Sequence, residues 1–243
     1  TGTELPCDLT FVVEGEEEVG GEALVNFLKQ KKSDFKCDGV VVSDTGMPDL
    51  KHPALTYALR GVAALEVRLD GADRDLHSGI YGGSVENPAM ALSKLLAQMI
   101  DKNGRITVPG IYDDVAKLSA YERKQMARVP FNKTKYKKLL GVKSLFGEKG
   151  FTPNEHRAAR PTFEINGLTS GYQGEGSKTI VPSHASAKIT MRLVPHQDAA
   201  KIFLLVARHL KALCPPTMRM TVELGHVADP YIVSPTGLSL IHI

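Results

Sequence analysis

Tryptophan is absent from this 243-residue sequence, and all aromatic residues together make up 6% of it. So sparse a set of rings leaves few platforms for stacking bases, and a net charge of +3 is too small for a polyanion partner. Nucleic acid is therefore excluded as a partner class. No apolar run approaches the ~18 residues of a membrane span, so no membrane role is expected. Cysteine is scarce and odd in number: Cys7, Cys37 and Cys214 stand far apart with no pattern. That excludes a disulfide frame and a cysteine zinc cluster, and predicts reduced thiols in a reducing, cytoplasmic compartment. What remains, 42% apolar and 23% charged residues, is ordinary for a globular protein of one large or two smaller domains.

The two ends read as those of a piece. The sequence opens on Thr1-Gly2-Thr3 without an initiator Met, so any targeting segment would lie upstream. At the other end Leu238 to Ile243 fits no element after the turn-like Pro235-Thr236-Gly237, and is expected to be a non-native tail.

The first stretch alternates strand and helix signals. Leu9 to Val13 is a short β-rich run, Glu22 to Lys32 carries Ala23, Leu24, Phe27 and Leu28 at helical spacing, and Gly39 to Ser43 is a second apolar run. This predicts a β-α-β unit of a mainly parallel sheet, with ligands at the strand ends. The pattern changes after Arg60-Gly61. Strands are predicted at Val62 to Leu69, Thr162 to Ile165, Ser186 to Leu193 and Met218 to Leu224. Helices are predicted after Pro88, with Leu92, Leu95, Leu96 and Met99 on one face, and over Ala199 to Leu213, with Ile202, Leu205, Val206 and Leu210 inward. Together they make a four-stranded antiparallel sheet in β-α-β-β-α-β order, which is ferredoxin-like. A polar insertion, 103–160, interrupts it. Asp113 to Arg128 reads as helical there, and the basic Lys133 to Lys138 as a solvated helix face.

Chemistry is most concentrated in Glu14-Gly15-Glu16-Glu17-Glu18, where an apolar run stops and Gly15, Gly20 and Gly21 free the backbone to turn. Adjacent side chains of an extended chain point opposite ways, so Glu17 and Glu18 can do different jobs. One carboxylate can hold a metal ion while its neighbour takes the proton of an attacking water. Asp44 ends the next apolar run in the same manner. Asp75-Leu76-His77-Ser78-Gly79 opens a glycine-rich loop. Gly174 to Thr179 has the look of a phosphate loop, but Ser177 breaks the spacing and that reading is rejected.

The order of Glu14 to Gly21, Ser43-Asp44, Leu59-Arg60-Gly61, Asp75 to Gly79, Val108-Pro109-Gly110 and Met191 to Pro195 resembles the family of zinc-dependent peptidases and aminoacylases. Its carnosinase-like dipeptidase branch is the nearest. The resemblance implies a catalytic domain with two zinc ions, manganese or cobalt being possible substitutes, and an inserted lid that makes a homodimer. It further implies Glu17 as general base, Glu18 and Asp44 as metal ligands, and His77 as a lid histidine that reaches a partner's site and steadies an oxyanion. Arg192 matches the clamp on the substrate carboxylate, and Thr179 a substrate contact. The implied domains are 1–59 catalytic, 60–226 lid, 227–237 catalytic again, and 238–243 tail. The implied activity is hydrolysis of dipeptides or short peptides. N-acyl amino acid hydrolysis is the alternative, and an inactive dimerisation module is the alternative for this chain alone, since the family's remaining ligand histidines and aspartate have no match here. His242 falls in the expected tail and is not assigned as a ligand.

Overall fold

In the computed structural model the described residues are 6–19, 21–42, 46–47, 49–52 and 56–233. They divide into two compact units, Thr1–Gly46 and Met47–Ile243.

The first unit holds a short 3-10 turn, Glu17–Val19, and one helix, α1 (Glu22–Gln30). Gly21 stands at the head of α1 with φ 59°, a left-handed value that glycine adopts without penalty. The predicted strands are not formed. Leu9 to Val13 and Gly39 to Val42 carry no ladder, and Ser43 lies outside the described residues. Val13 is 93% and Val41 88% exposed. An apolar run suits a strand buried on both faces, but a strand exists only where another pairs with it, and these have no pairing partner among the described residues.

The second unit is built on the predicted sheet. Its strands are β2 (Gly61–Asp70), β4 (Glu164–Ser170), β6 (His184–Leu193) and β7 (Arg219–Ala228), all antiparallel, in spatial order β4-β6-β2-β7. β2 pairs with β6 along its whole length, from Gly61 opposite Leu193 to Asp70 opposite His184. Four two-residue strands complete the set: β1 (Ala58–Leu59) pairs with β8 (Tyr231–Ile232), and β3 (Leu76–His77) with β5 (Ile180–Val181). In the main sheet the pairing of β7 against β2 slips one residue between Ala63 and Leu65, where Gly225 sits close over Ala64.

Alternation decides which face is covered. Ala63, Leu65, Val67 and Leu69 of β2, with Ala185, Ala187, Ile189, Met191 and Leu193 of β6, are all buried on one side. Two helices lie there: α3 (Pro88–Ala97) and α7 (Ala199–Leu213). Each starts on a side-chain cap. Asn87 accepts from the Ala89 and Met90 amides, and Asp198 from that of Lys201. Leu92, Leu95, Leu96 and Met99 are buried as their spacing predicted, as are Ile202, Val206 and Leu210, with Leu205 partly so.

Three predictions for this unit are corrected. The first sheet strand after the insertion begins at Glu164, not Thr162, and runs on to Ser170. The loop after Asp75 contains a strand pair and a helical turn, α2 (Ser78–Tyr81). Of Asp113 to Arg128 only α4 (Ala120–Arg128) is helical, because Ser119 and Glu122 close a reciprocal cap there and fix the start of the helix. The basic run forms α5 (Lys133–Leu140), with Lys133, Lys135 and Lys138 exposed as expected. A last helix, α6 (Pro153–Ala159), has the same reciprocal cap, made by Thr152 and Glu155.

The insertion is pinned by ions. Arg160 grips Glu148 with both its Nε (2.7 Å) and Nη2 (2.8 Å), and Arg105 adds a contact at 3.3 Å. Tyr112 donates to the same carboxylate at 3.5 Å and lies under both guanidiniums.

Candidate active-site elements

The acid cluster is not extended. Glu17 and Glu18 open the 3-10 turn, where successive side chains are turned by ~120° rather than to opposite sides. Both are exposed. The Gly21 amide donates to the Glu16 carbonyl at 3.1 Å and closes the loop around them. Glu14 folds inward: its Oε1 is buried without a partner, and a Cβ on Gly21 would come within 2.6 Å of it. Asp44, the other expected ligand, lies outside the described residues. Among the described residues no three or more His, Cys, Asp or Glu side chains gather as a metal site. The carboxylates of Glu17 and Glu18 suit a divalent cation in kind, since hard oxygen ligands bind such ions, but not in number.

In the second unit the structure brings His77 and Thr179 together. His77 ends β3 opposite Ile180, and the Ser78 amide donates to the Thr179 carbonyl at 2.9 Å. The Gly79 amide donates to His77 Nδ1 at 3.0 Å, so His77 caps its own helical turn. With Nδ1 engaged by that amide, Nε2 is the ring nitrogen that the exposed side chain leaves free to donate. Asp75, just before, accepts from the Ser183 amide at 2.8 Å, and this bond holds its carboxyl below the usual carboxylate range. The pair of segments is thus tied at both ends. Beside Thr179 lies an open groove of about 370 Å³ lined by Tyr172, Lys178 and Ile180, with the Lys178 ammonium 4.6 Å above the Tyr172 ring.

Arg192 is exposed on β6, opposite Val62. Its backbone is fixed by Thr162, whose amide donates to the Arg192 carbonyl at 3.0 Å. Close by is Arg60, a residue given no role from sequence. Burial first, and then the charge of Arg192, push its guanidinium pKa down, while Glu164 acts the other way. The only sequence sign of it is an arginine set between Leu59 and Gly61 at the head of a strand. His156, also near, is held below the ordinary histidine range chiefly by burial, against the pull of Glu148.

The family profile of the peptidase dimerisation domain matches residues 57–218. A Cys-Gly metallodipeptidase of Schizosaccharomyces pombe is 32% identical over 212 residues, 86% of this chain and 44% of its own length. A Beta-Ala-His dipeptidase of Rattus norvegicus is also 32% identical over 212 residues, 86% of this chain and 43% of its own. Among solved structures, a metallo-carboxypeptidase from Sulfolobus solfataricus superposes with a TM-score of 0.76 at 32% identity, covering 94% of this chain and 51% of that one. The chain spans about half the length of the relatives it matches. With its sheet, helices and strand order in place and this profile across two thirds of its length, the chain belongs to the M20 peptidase family through that family's dimerisation domain.

Proposed function

We propose that the protein of which this chain forms part is a metallodipeptidase, cleaving the peptide bond of dipeptides or short peptides. The observation that carries this reading is the His77 arrangement: its Nδ1 accepts a backbone amide, which leaves Nε2 to donate, and the next residue, Ser78, is bonded to Thr179. Glu18 and Asp44 would hold metal, zinc first and manganese or cobalt as substitutes, together with ligands that the described residues do not supply. When bound, such ions polarise the scissile carbonyl and make water acidic enough to attack near neutral pH. Glu17 takes the proton from that water and passes it to the leaving amine. His77, reaching the site of the partner subunit, donates to the oxyanion that develops there, an interaction stronger in the transition state than in the ground state. Arg192 holds the substrate carboxylate, for which a guanidinium fork is suited, and Thr179 borders the same end.

Segment 60–226 acts as the lid and dimer-forming part. The edge strand β4 exposes Ile165 and Leu168, and α3 exposes Met90, so a second copy can continue the sheet from that edge. The three cysteines are free thiols, which suits a cytoplasmic setting, and no helix among the described residues is long and apolar enough to cross a membrane.

Purified with zinc, the longer protein should bind about two ions by elemental analysis and hydrolyse dipeptides faster than N-acyl amino acids. Glu17→Ala should abolish turnover while the metal stays. A metal-free wild type, or a preference for N-acyl amino acids, refutes the assignment. Sedimentation of this chain should give a dimer without dipeptidase activity.

A further inference from the structure

Arg60 stands just ahead of β2, and its Nε and Nη2 are buried with no hydrogen-bond partner. A guanidinium keeps its proton, so burying one with its donors unmet is costly, and structures rarely tolerate it without a use. Arg160, in the same unit, shows how the cost is ordinarily met: the same two nitrogens grip both oxygens of Glu148. Among the described residues that edge of Arg60 meets no carboxylate. Glu148 is committed to Arg160 and Arg105, and among the described residues Glu164 forms no ion pair with Arg60. Glu164 is the one acidic group whose charge reaches Arg60, while Arg192 is the cation beside it. Half-buried His156, the other titratable neighbour, adds no negative charge to offset them. Two guanidiniums therefore stand near one carboxylate; that of half-buried Arg60 has two of its nitrogens out of water, while Arg192 is exposed.

We infer that Arg60 is a positioning residue for carboxylate recognition: its half-buried, uncancelled charge lies beside Arg192 and draws the terminal carboxylate of a substrate to the Arg192 fork. This deepens the reading of Arg192 as the carboxylate clamp and rests on it. Because the donor edge of Arg60 is sealed, the effect is exerted through the field and not by contact. A fixed charge in a partly desolvated place acts on a nearby anion far more than one in water does. The substrate class follows: short peptides with a free C-terminal carboxylate, in preference to the same peptides amidated.

The test compares Arg60→Met, Arg60→Lys and Glu164→Gln in the longer protein. With a free-acid dipeptide, Arg60→Met should raise KM on the order of tenfold with kcat nearly unchanged. With the amidated dipeptide it should leave KM where it was. Arg60→Lys, which keeps the charge, should restore most of the loss. Glu164→Gln, an exposed change that removes the opposing charge, should lower KM for the free acid severalfold. An unchanged KM in Arg60→Met, an equal rise for both substrates, no rescue by lysine, or no drop in Glu164→Gln overturns the inference. Should the wild type cleave neither peptide, the peptidase reading fails by itself. The inference is then decided by titrating this chain with N-acetylglycine and following the Arg192 guanidinium by NMR. Affinity should fall about tenfold in Arg60→Met and rise in Glu164→Gln. The absence of both changes refutes it.

Discussion

Replacing Glu148 by glutamine should unsettle the whole insertion. Its carboxylate is 6% exposed and the Arg160 side chain 10%, and they share two short bonds, 2.7 and 2.8 Å. Glutamine keeps the volume and removes the charge, leaving Arg160 buried between Tyr112 and Phe151 with no counter-ion. Breaking a buried pair from one side costs about 3–5 kcal/mol, mostly as the penalty of the charge left behind. The Arg105 contact adds little: that arginine is half exposed, and such pairs are worth about 0–1 kcal/mol. For a unit of this size each kcal/mol lowers Tm by roughly 2–4 °C, so the midpoint should fall by roughly 6–20 °C in a thermal scan followed by circular dichroism. The double variant Glu148→Leu with Arg160→Met should recover much of that, because no uncompensated charge remains. A shift in the single variant equivalent to less than about 1 kcal/mol, or a double variant no better than the single, refutes the reasoning.

Three further outcomes are expected. Leu92, fully buried under the sheet, should cost about 2–5 kcal/mol when cut to alanine, read as a lowered urea midpoint with unchanged slope; a loss under 1 kcal/mol would mean the core collapses around the gap. Gly104 has φ +76°, and a Cβ there would lie 2.6 Å from the Gly147 carbonyl oxygen, so Gly104→Ala should part the loop from the Lys149 amide that binds Asn103 and speed amide exchange at Lys149; unchanged exchange refutes it. For His156 the folded pKa is depressed, so the unfolded chain takes up its proton near pH 6.5 while the folded chain waits for lower pH. Stability from this group is complete above that value and is lost as pH falls below it, and His156→Gln should flatten the urea midpoint between pH 7 and 5; an unchanged slope counts against it.

Much of the second unit was legible because its signals are local. Pro88 after a capping Asn87, and apolar residues at helical spacing through Met99, define α3 without knowledge of what covers it. Ala199 to Leu213 was readable to the residue for the same reason. Where the deciding fact is tertiary, the sequence reading failed. Leu9 to Val13 has strand composition, yet composition does not supply a partner strand. Asp113 to Ser119 has a helical look, but the reciprocal cap at Ser119 and Glu122 decides where the helix begins, and Asp114 is turned to the Lys201 ammonium of α7 instead. The candidate site divides likewise. His77 and Thr179 were picked out by motif, while the fastening of their two segments, and the isolation of Arg60, exist only in three dimensions.

That pairing has a consequence for anyone who would alter the protein. His77 and Thr179 come from distant parts of the chain but flank one short fastening, His77 paired with Ile180 and Ser78 bonded to Thr179, so neither segment can be displaced without carrying the other along. A graft, a loop exchange or an insertion on either side changes both at once. Tuning such a site one residue at a time will therefore give results that depend on the order of the steps, and the two segments are best exchanged as a single cassette.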